Sequence, residues 1–245
     1  MDSESSSPQG WSVHKFGGTS LADPERIRHA ASLVGEQATP TAVVVSAMSG
    51  VTDRLLALTD AADYDAAQED LQALCDEQRA VVTELLSGDE AAPLLRALDE
   101  DVADVRDLLR ATRLMREAPD PARDLVAGYG ELWSARLLGG VLRSNGIDAA
   151  VCNAREVLVV GHEKLGPVVD WEATRDRFDA WRAEQDADVY VVTGFVATTP
   201  DGVPTTLGRN GSDHSAAIFA SLLGAEALTI WTDTDGVMSA DPRYV

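Results

Sequence analysis

The chain has 245 residues, 45% of them hydrophobic and 25% charged, a composition that suits one sizeable globular α/β domain and excludes wholesale disorder or a fibrous repeat. Twenty Lys and Arg stand against 41 Asp and Glu, and the formal net charge of −21 excludes a nucleic-acid or anionic-membrane surface, since both need a basic face. Cys75 and Cys152 are too few for a disulfide framework, no apolar run reaches the roughly 18 residues of a membrane span, and the opening MDSESSSPQG is acidic where a secretory signal would be basic. These features predict a cytoplasmic protein with a frayed tail at 1–10 and one domain over 11–245.

From Trp11 to Phe16 runs a short β-type segment that ends at Gly17-Gly18, and Asp23-Pro24 then opens a helix with proline near its first turn. The nearly continuous apolar run Ala42–Val45 predicts a strand buried on both faces of a parallel sheet, again followed by a glycine, Gly50, and a helix. Between about Thr52 and Glu117 apolar residues recur at helical spacing, with the acidic residues on a solvated face. A further helix is expected over 122–144, interrupted near GYGELW and ended by Asn145-Gly146. A strand at 147–152, short strands up to Val169, a helix from Trp171, a single central strand at 188–197, a helix at 211–223 and a strand at 227–232 complete the pattern. Strands alternating with helices predict an α/β fold on a largely parallel sheet.

In such sheets ligands lie beyond the carboxyl ends of the strands. The residues there are Lys15–Ser20, Ser46–Gly50, Thr193–Phe195 and Thr232–Gly236, a set of glycines, hydroxyls, acids and one lysine. Glycine admits backbone N–H groups close to an anion, and lysine supplies a point charge for a phosphoryl group. A lysine before Gly-Gly is by itself more often a surface cation. GGTS lacks the frame of a P-loop, and GYGELW lacks the third small residue of a dinucleotide-binding turn. His14, His29, His162 and His214 have no metal-ligand spacing. In LGRNGSDHSAA, Ser212 or Asp213 could be a plain helix cap, but capping leaves Arg209, a fork suited to a carboxylate, without a task.

Six stretches in order, KFGGTS, SAMSGVTD, GYGE, TGFVA, TTLGRNGSDHSAA and WTDTDGVMSADPR, resemble the aspartate kinases of the amino acid kinase superfamily, and the last two also resemble the kinase part of fused aspartokinase–homoserine dehydrogenases. The resemblance covers about residues 11–245 and implies a three-layer α-β-α sandwich, ending before the paired regulatory ACT domains of the family. It implies phosphorylation of the L-aspartate β-carboxylate by Mg²⁺-ATP, the first step towards lysine, threonine and methionine, in a homo-oligomeric enzyme under allosteric control. Carried over by position, Lys15 with Gly17, Gly18 and Ser20 would hold the transferring phosphoryl group, and Asp213 would orient the lysine. Ser46, Thr52 and Ser212 would line the aspartate pocket, with Glu131 on the α-ammonium and Arg209 on the α-carboxylate. Thr232, Asp233 and Met238 would face the nucleoside and Arg243 the phosphates, with no protein ligand assigned to the metal. Alternatives are another amino acid kinase, or a non-catalytic fragment that binds aspartate or nucleotide.

Overall fold

The computed structural model describes residues 10–37, 40–61, 63–164 and 166–232. Strand β1 (Ser12–Phe16) leads through a 3₁₀ turn (Gly18–Leu21) into α1 (Pro24–Gly35), and β2 (Thr41–Val45) leads into α2 (Val51–Asp60). Asp23 caps α1 by accepting the Arg26 N–H at 2.9 Å, with Pro24 in the first turn as its sequence implies. The expected helical block divides into α2, α3 (Tyr64–Leu85) and α4 (Gly88–Met115), followed by α5 (Asp120–Ala127) and α6 (Tyr129–Ser144). Then come β3 (Ala149–Cys152), the single turn α7 (Ala154–Val157), the hairpin β4 (Val160–Glu163) and β5 (Gly166–Val169), and α8 (Trp171–Ala183). The described chain closes with β6 (Val189–Thr193), β7 (Val196–Thr198), β8 (Pro204–Thr206), α9 (Gly211–Leu223) and β9 (Ala227–Trp231).

Five strands form one parallel sheet in the order β3-β6-β2-β1-β9. Strand alternation sends Val43, Val45 and Val191 into one core with helices α1 to α4 and α6, and sends Val13, Ala42, Val44 and Val192 into a second core with α7, α8 and α9. The result is the expected three-layer sandwich. Each of these valines is fully buried, worth about 1.5–3 kcal/mol apiece relative to exposure, so the sheet is the rigid platform of the domain.

One expected element is corrected. The apolar run 188–197 is two strands, because the chain turns at Gly194-Phe195, with Phe195 at a φ of 67°, before β7 pairs with β8. Apolarity gave no sign of the break, since β7 is as buried as β6.

Asp101 of α4 is a buried polar link between the outer helices and α6: it is 7% exposed and accepts the Trp133 indole N–H at 2.9 Å and a guanidinium N–H of Arg136. Burial pushes its carboxyl up, and Arg136 opposes that shift. Asp101→Ala leaves both donors without a partner, and a loss of about 2–4 kcal/mol in urea unfolding is expected. A loss below about 0.5 kcal/mol would show that the link is not structural.

Candidate active site

A cleft of about 460 Å³ opens beyond the carboxyl ends of β1, β2 and β6. It is lined by Gly18 and Thr19, by the 46–53 loop and first turn of α2, by Glu131 and Phe195, and by Gly208 to Ser212. Another cavity, of about 500 Å³, lies among α2 to α5, away from the strand ends. Strand-end geometry and chemistry both single out the first cleft.

Lys15 is not a surface cation. It points to the α9 side of the sheet, is 9% exposed, and its Nζ lies 2.8 Å from Oδ1 of Asp213. The same oxygen has no partner within hydrogen-bond angles, so the contact is an ion pair rather than an aligned hydrogen bond. Asp213 therefore does not cap α9, and neither does Ser212. The capping position belongs to Asn210, at a φ of 60° and without a side-chain bond, while the Ser212 hydroxyl accepts that of Ser46 at 2.8 Å.

The glycines admit close backbone approach. A Cβ on Gly18 would lie 2.9 Å from the Ala47 carbonyl oxygen, and one on Gly194 would lie 2.8 Å from that of Val45, whose oxygen already accepts the Gly194 N–H at 2.8 Å. Gly17 stands beside the Lys15 ammonium, with space for a side chain only at van der Waals contact, 3.5 Å.

Glu131 sits in the first turn of α6, 3% exposed. Gly130 lets that turn press against Ala47, and the N–H groups of Ala47 and of Glu131 itself favour the ionised carboxyl. One oxygen, Oε2, is buried and has no partner. Burial pushes the carboxyl up to about 7, against those N–H groups and the charge of Arg155. Across the cleft Arg209 is exposed, on a loop with Gly208 at a φ of 70°. The cleft thus has an unsatisfied acceptor on one wall and a guanidinium on another.

Of the residues singled out in the sequence, Ser46, Thr52, Glu131, Arg209, Ser212 and Gly18 line this cleft, with Lys15 and Asp213 paired beside it. Ser20 and Thr232 instead share a neighbouring cavity of about 430 Å³ with Phe16, Arg26 and Trp231. Asp233, Met238 and Arg243 lie outside the described residues. Thr19 and Phe195, on the strand-end shortlist but given no role, are on the cleft wall, as are Asp53 and Asn210, which sequence reasoning left without a role; the Asn-Gly pair at 210–211 was the available signal for Asn210, as a turn dipeptide. Among the described residues no three His, Cys, Asp or Glu converge as a metal would require.

The amino acid kinase family profile matches residues 10–245. The chain is 42% identical to bifunctional aspartokinase/homoserine dehydrogenase 1, chloroplastic, of Arabidopsis thaliana, over 97% of this chain and 27% of that protein. It is 36% identical to bifunctional aspartokinase/homoserine dehydrogenase 2 of Escherichia coli strain K12, over 97% of this chain and 29% of that one. Among solved structures, E. coli aspartokinase III in complex with aspartate and ADP matches with a TM-score of 0.84 at 29% identity, covering 96% of this chain and 52% of that chain. The chain therefore spans a quarter to a half of the length of these relatives.

Burial of Glu131 has a measurable consequence. A carboxyl whose folded pKa is raised binds more protons folded than unfolded, so its ionisation costs the fold about 3 kcal/mol, a loss that builds as pH rises from about 4.5 to 7. Glu131→Gln removes the charge and is expected to make the ligand-free chain more stable at pH 8 by about 2–3 kcal/mol, with the difference shrinking towards pH 5. Denaturation at the two pH values checks this; equal stability of the two proteins at pH 8 is the contrary result.

Proposed function

The chain belongs to the amino acid kinase family, and we propose that it is the catalytic domain of an aspartate kinase, transferring the γ-phosphoryl group of ATP to the β-carboxylate of L-aspartate. The observation that carries this reading is the pairing, across one cleft, of the unpartnered Glu131 oxygen with the Arg209 guanidinium. Those two groups match the α-ammonium and α-carboxylate of a free amino acid, held from opposite layers of the sandwich. The side chain of the amino acid then points towards Ser46, Ser212 and Lys15.

The reaction needs little beyond positioning and charge. An aspartate carboxylate, with an ordinary pKa of about 3.9, is already ionised at neutral pH, so no general base is required. Its oxygen attacks phosphorus, the bond from the γ-phosphorus to the bridging oxygen breaks, and ADP leaves with the bridging electrons. Lys15 stabilises the charge on the transferring group, the backbone of Gly17 and Gly18 lies close to it, and Asp213 holds the ammonium in place. Ser20 and Thr232 take the nucleotide side. Mg²⁺ carried by ATP would supply charge neutralisation at the phosphates.

We place the enzyme in the cytoplasm, where two buried free thiols, Cys75 and Cys152, suit a reducing setting. Its product feeds lysine, threonine and methionine synthesis, and the parent chain is a homo-oligomer under allosteric control, with fusion to a second enzyme as in the relatives.

Two measurements test the reading. Purified chain with Mg²⁺-ATP is expected to release ADP only when L-aspartate is present and to yield a hydroxamate when hydroxylamine traps the acyl phosphate; ADP release that ignores aspartate would overturn it. Lys15→Ala is expected to lower kcat by about 10²–10⁴-fold with the fold retained, and Arg209→Ala to raise the aspartate KM by about 10–100-fold. Near-normal kinetics in either variant would remove that residue from the site.

A further inference from the structure

Ser215 lies in the second turn of α9, fully buried behind the cleft wall. Its hydroxyl joins two parts of the chain: it donates to the Gly211 carbonyl at 3.0 Å and accepts the Phe195 N–H at 3.0 Å. A helical serine that bonds back by one turn is ordinary, but that accounts for the first bond alone. The second bond holds an aromatic residue at a φ of 67°, a left-handed backbone that persists only where its surroundings impose it. From Phe195 the network continues, since its carbonyl accepts the Leu207 N–H at 2.8 Å and the Gly208 carbonyl accepts the Gly211 N–H at 3.0 Å. Gly211 is pressed onto the same residue: a Cβ there would lie 2.8 Å from Cδ2 of the Phe195 ring and 3.2 Å from its Cα. The loop 207–211 is thus pinned at both ends to the Phe195 turn.

We propose that Ser215 is a positioning residue of the amino-acid site, its hydroxyl clamping the Phe195 turn to the loop that carries Arg209. The inference rests on the reading of Arg209 as the partner of the substrate α-carboxylate. Arg209 and Phe195 both line the cleft, and Ser215 acts through them. Among the described residues the Arg209 side chain has no ion pair or hydrogen bond, so its own backbone sets where the guanidinium stands. That backbone is irregular: Gly208 and Asn210 flank it at φ values of 70° and 60°, and the Asn210 side chain caps nothing. The loop therefore takes its place from the bonds at Leu207, Gly211 and Phe195. The first two hold through backbone groups, whereas the Ser215 hydroxyl is a side chain that substitution can remove. A guanidinium fork that grips a carboxylate through two parallel bonds tolerates little displacement, so a loop freed at this point loses grip on the substrate before it loses its fold.

Ser215→Ala removes the clamp and suits the helix, since alanine is the strongest helix former. It is expected to raise the aspartate KM about fivefold, with kcat and the ATP KM within about twofold of the parent chain. Ser215→Thr keeps the hydroxyl and should restore the aspartate KM to within about twofold of the parent value. The decisive comparison is a double-mutant cycle. In an Arg209→Ala background, Ser215→Ala should shift the aspartate KM by less than about twofold, because the group it positions is gone. A fivefold loss that persists in that background, or an equal rise in the ATP KM, is what a merely structural serine would give and overturns the proposal. Amide hydrogen exchange of the ligand-free chain reads the clamp without turnover: the Phe195 and Leu207 amides should exchange at least about tenfold faster in Ser215→Ala. Unchanged exchange at Phe195 overturns the clamp. Should Ser215→Ala not fold, the Phe195 amide of the parent chain carries the test: protection equal to that of the β6 amides supports the bond, and exchange at the rate of an open loop overturns it. A clamp that loosens as expected in a chain that ignores aspartate sinks the functional reading and leaves the anchoring of loop 207–211 standing.

Discussion

A buried ammonium requires a counter-charge, and the pair formed by Lys15 and Asp213 meets that requirement across two layers of the fold. An uncompensated charge at this depth would cost several kcal/mol, so strand β1 and the first turn of α9 hold one another in register. Everything at the carboxyl edge of the sheet is built at the short spacing that results. The Ser46 and Ser212 hydroxyls meet, Gly194 lies against Val45 and Ser212, and Gly18 lies under Ala47. Methyl groups at Gly18 or Gly194 would collide with backbone, which cannot swing aside as a side chain can.

Charge on the molecule as a whole works against its proposed ligands. With a net −21, the long-range field repels both aspartate and ATP, and the approach of either should quicken as salt rises. Within the cleft the balance differs, because screening in water confines the exposed acids to a range of about 8 Å at physiological ionic strength. In the proposed reading Lys15 and Arg209 act at contact distance, where one charge-assisted hydrogen bond contributes about 1.5–3 kcal/mol. On that reading the local cations decide binding, and the distant acids affect only the rate of encounter.

The sandwich was legible because β2 and β6 are apolar on both faces and the glycines after β1 and β2 each lead into a helix. Lys15 and Ser46 were legible for a related reason, since strand ends are where parallel sheets expose loops; Arg209 and Ser212 stood out in the glycine-containing stretch before α9, and Thr52 came through the family resemblance. The turn at Gly194-Phe195 was not, since a partly buried aromatic at positive φ looks like any strand residue in sequence. The burial of Glu131 was equally hidden. Its neighbours Tyr129, Leu132 and Trp133 promise an apolar helix, but only the three-dimensional fit of Gly130 on Ala47 decides that the carboxylate is enclosed.

The unsatisfied oxygen of Glu131 raises the question of why α6 does not shift to satisfy it. Ionising that carboxyl costs about 3 kcal/mol, whereas the same helix buries Leu132, Trp133, Leu137, Leu138, Val141 and Leu142, each worth about 1.5–3 kcal/mol. Moving the helix to relieve one oxygen would disturb several of these contacts and the Asp101 link to α4. The core therefore outweighs the site by a wide margin and holds the acceptor open. A rigid helix with an unmet acceptor is complementary to a cation it does not contain, and in the proposed reading the substrate ammonium is that cation. In that reading binding strength at this wall comes from the mismatch the fold maintains, so Gly130, which lets the turn press against Ala47, matters as much as the carboxylate itself.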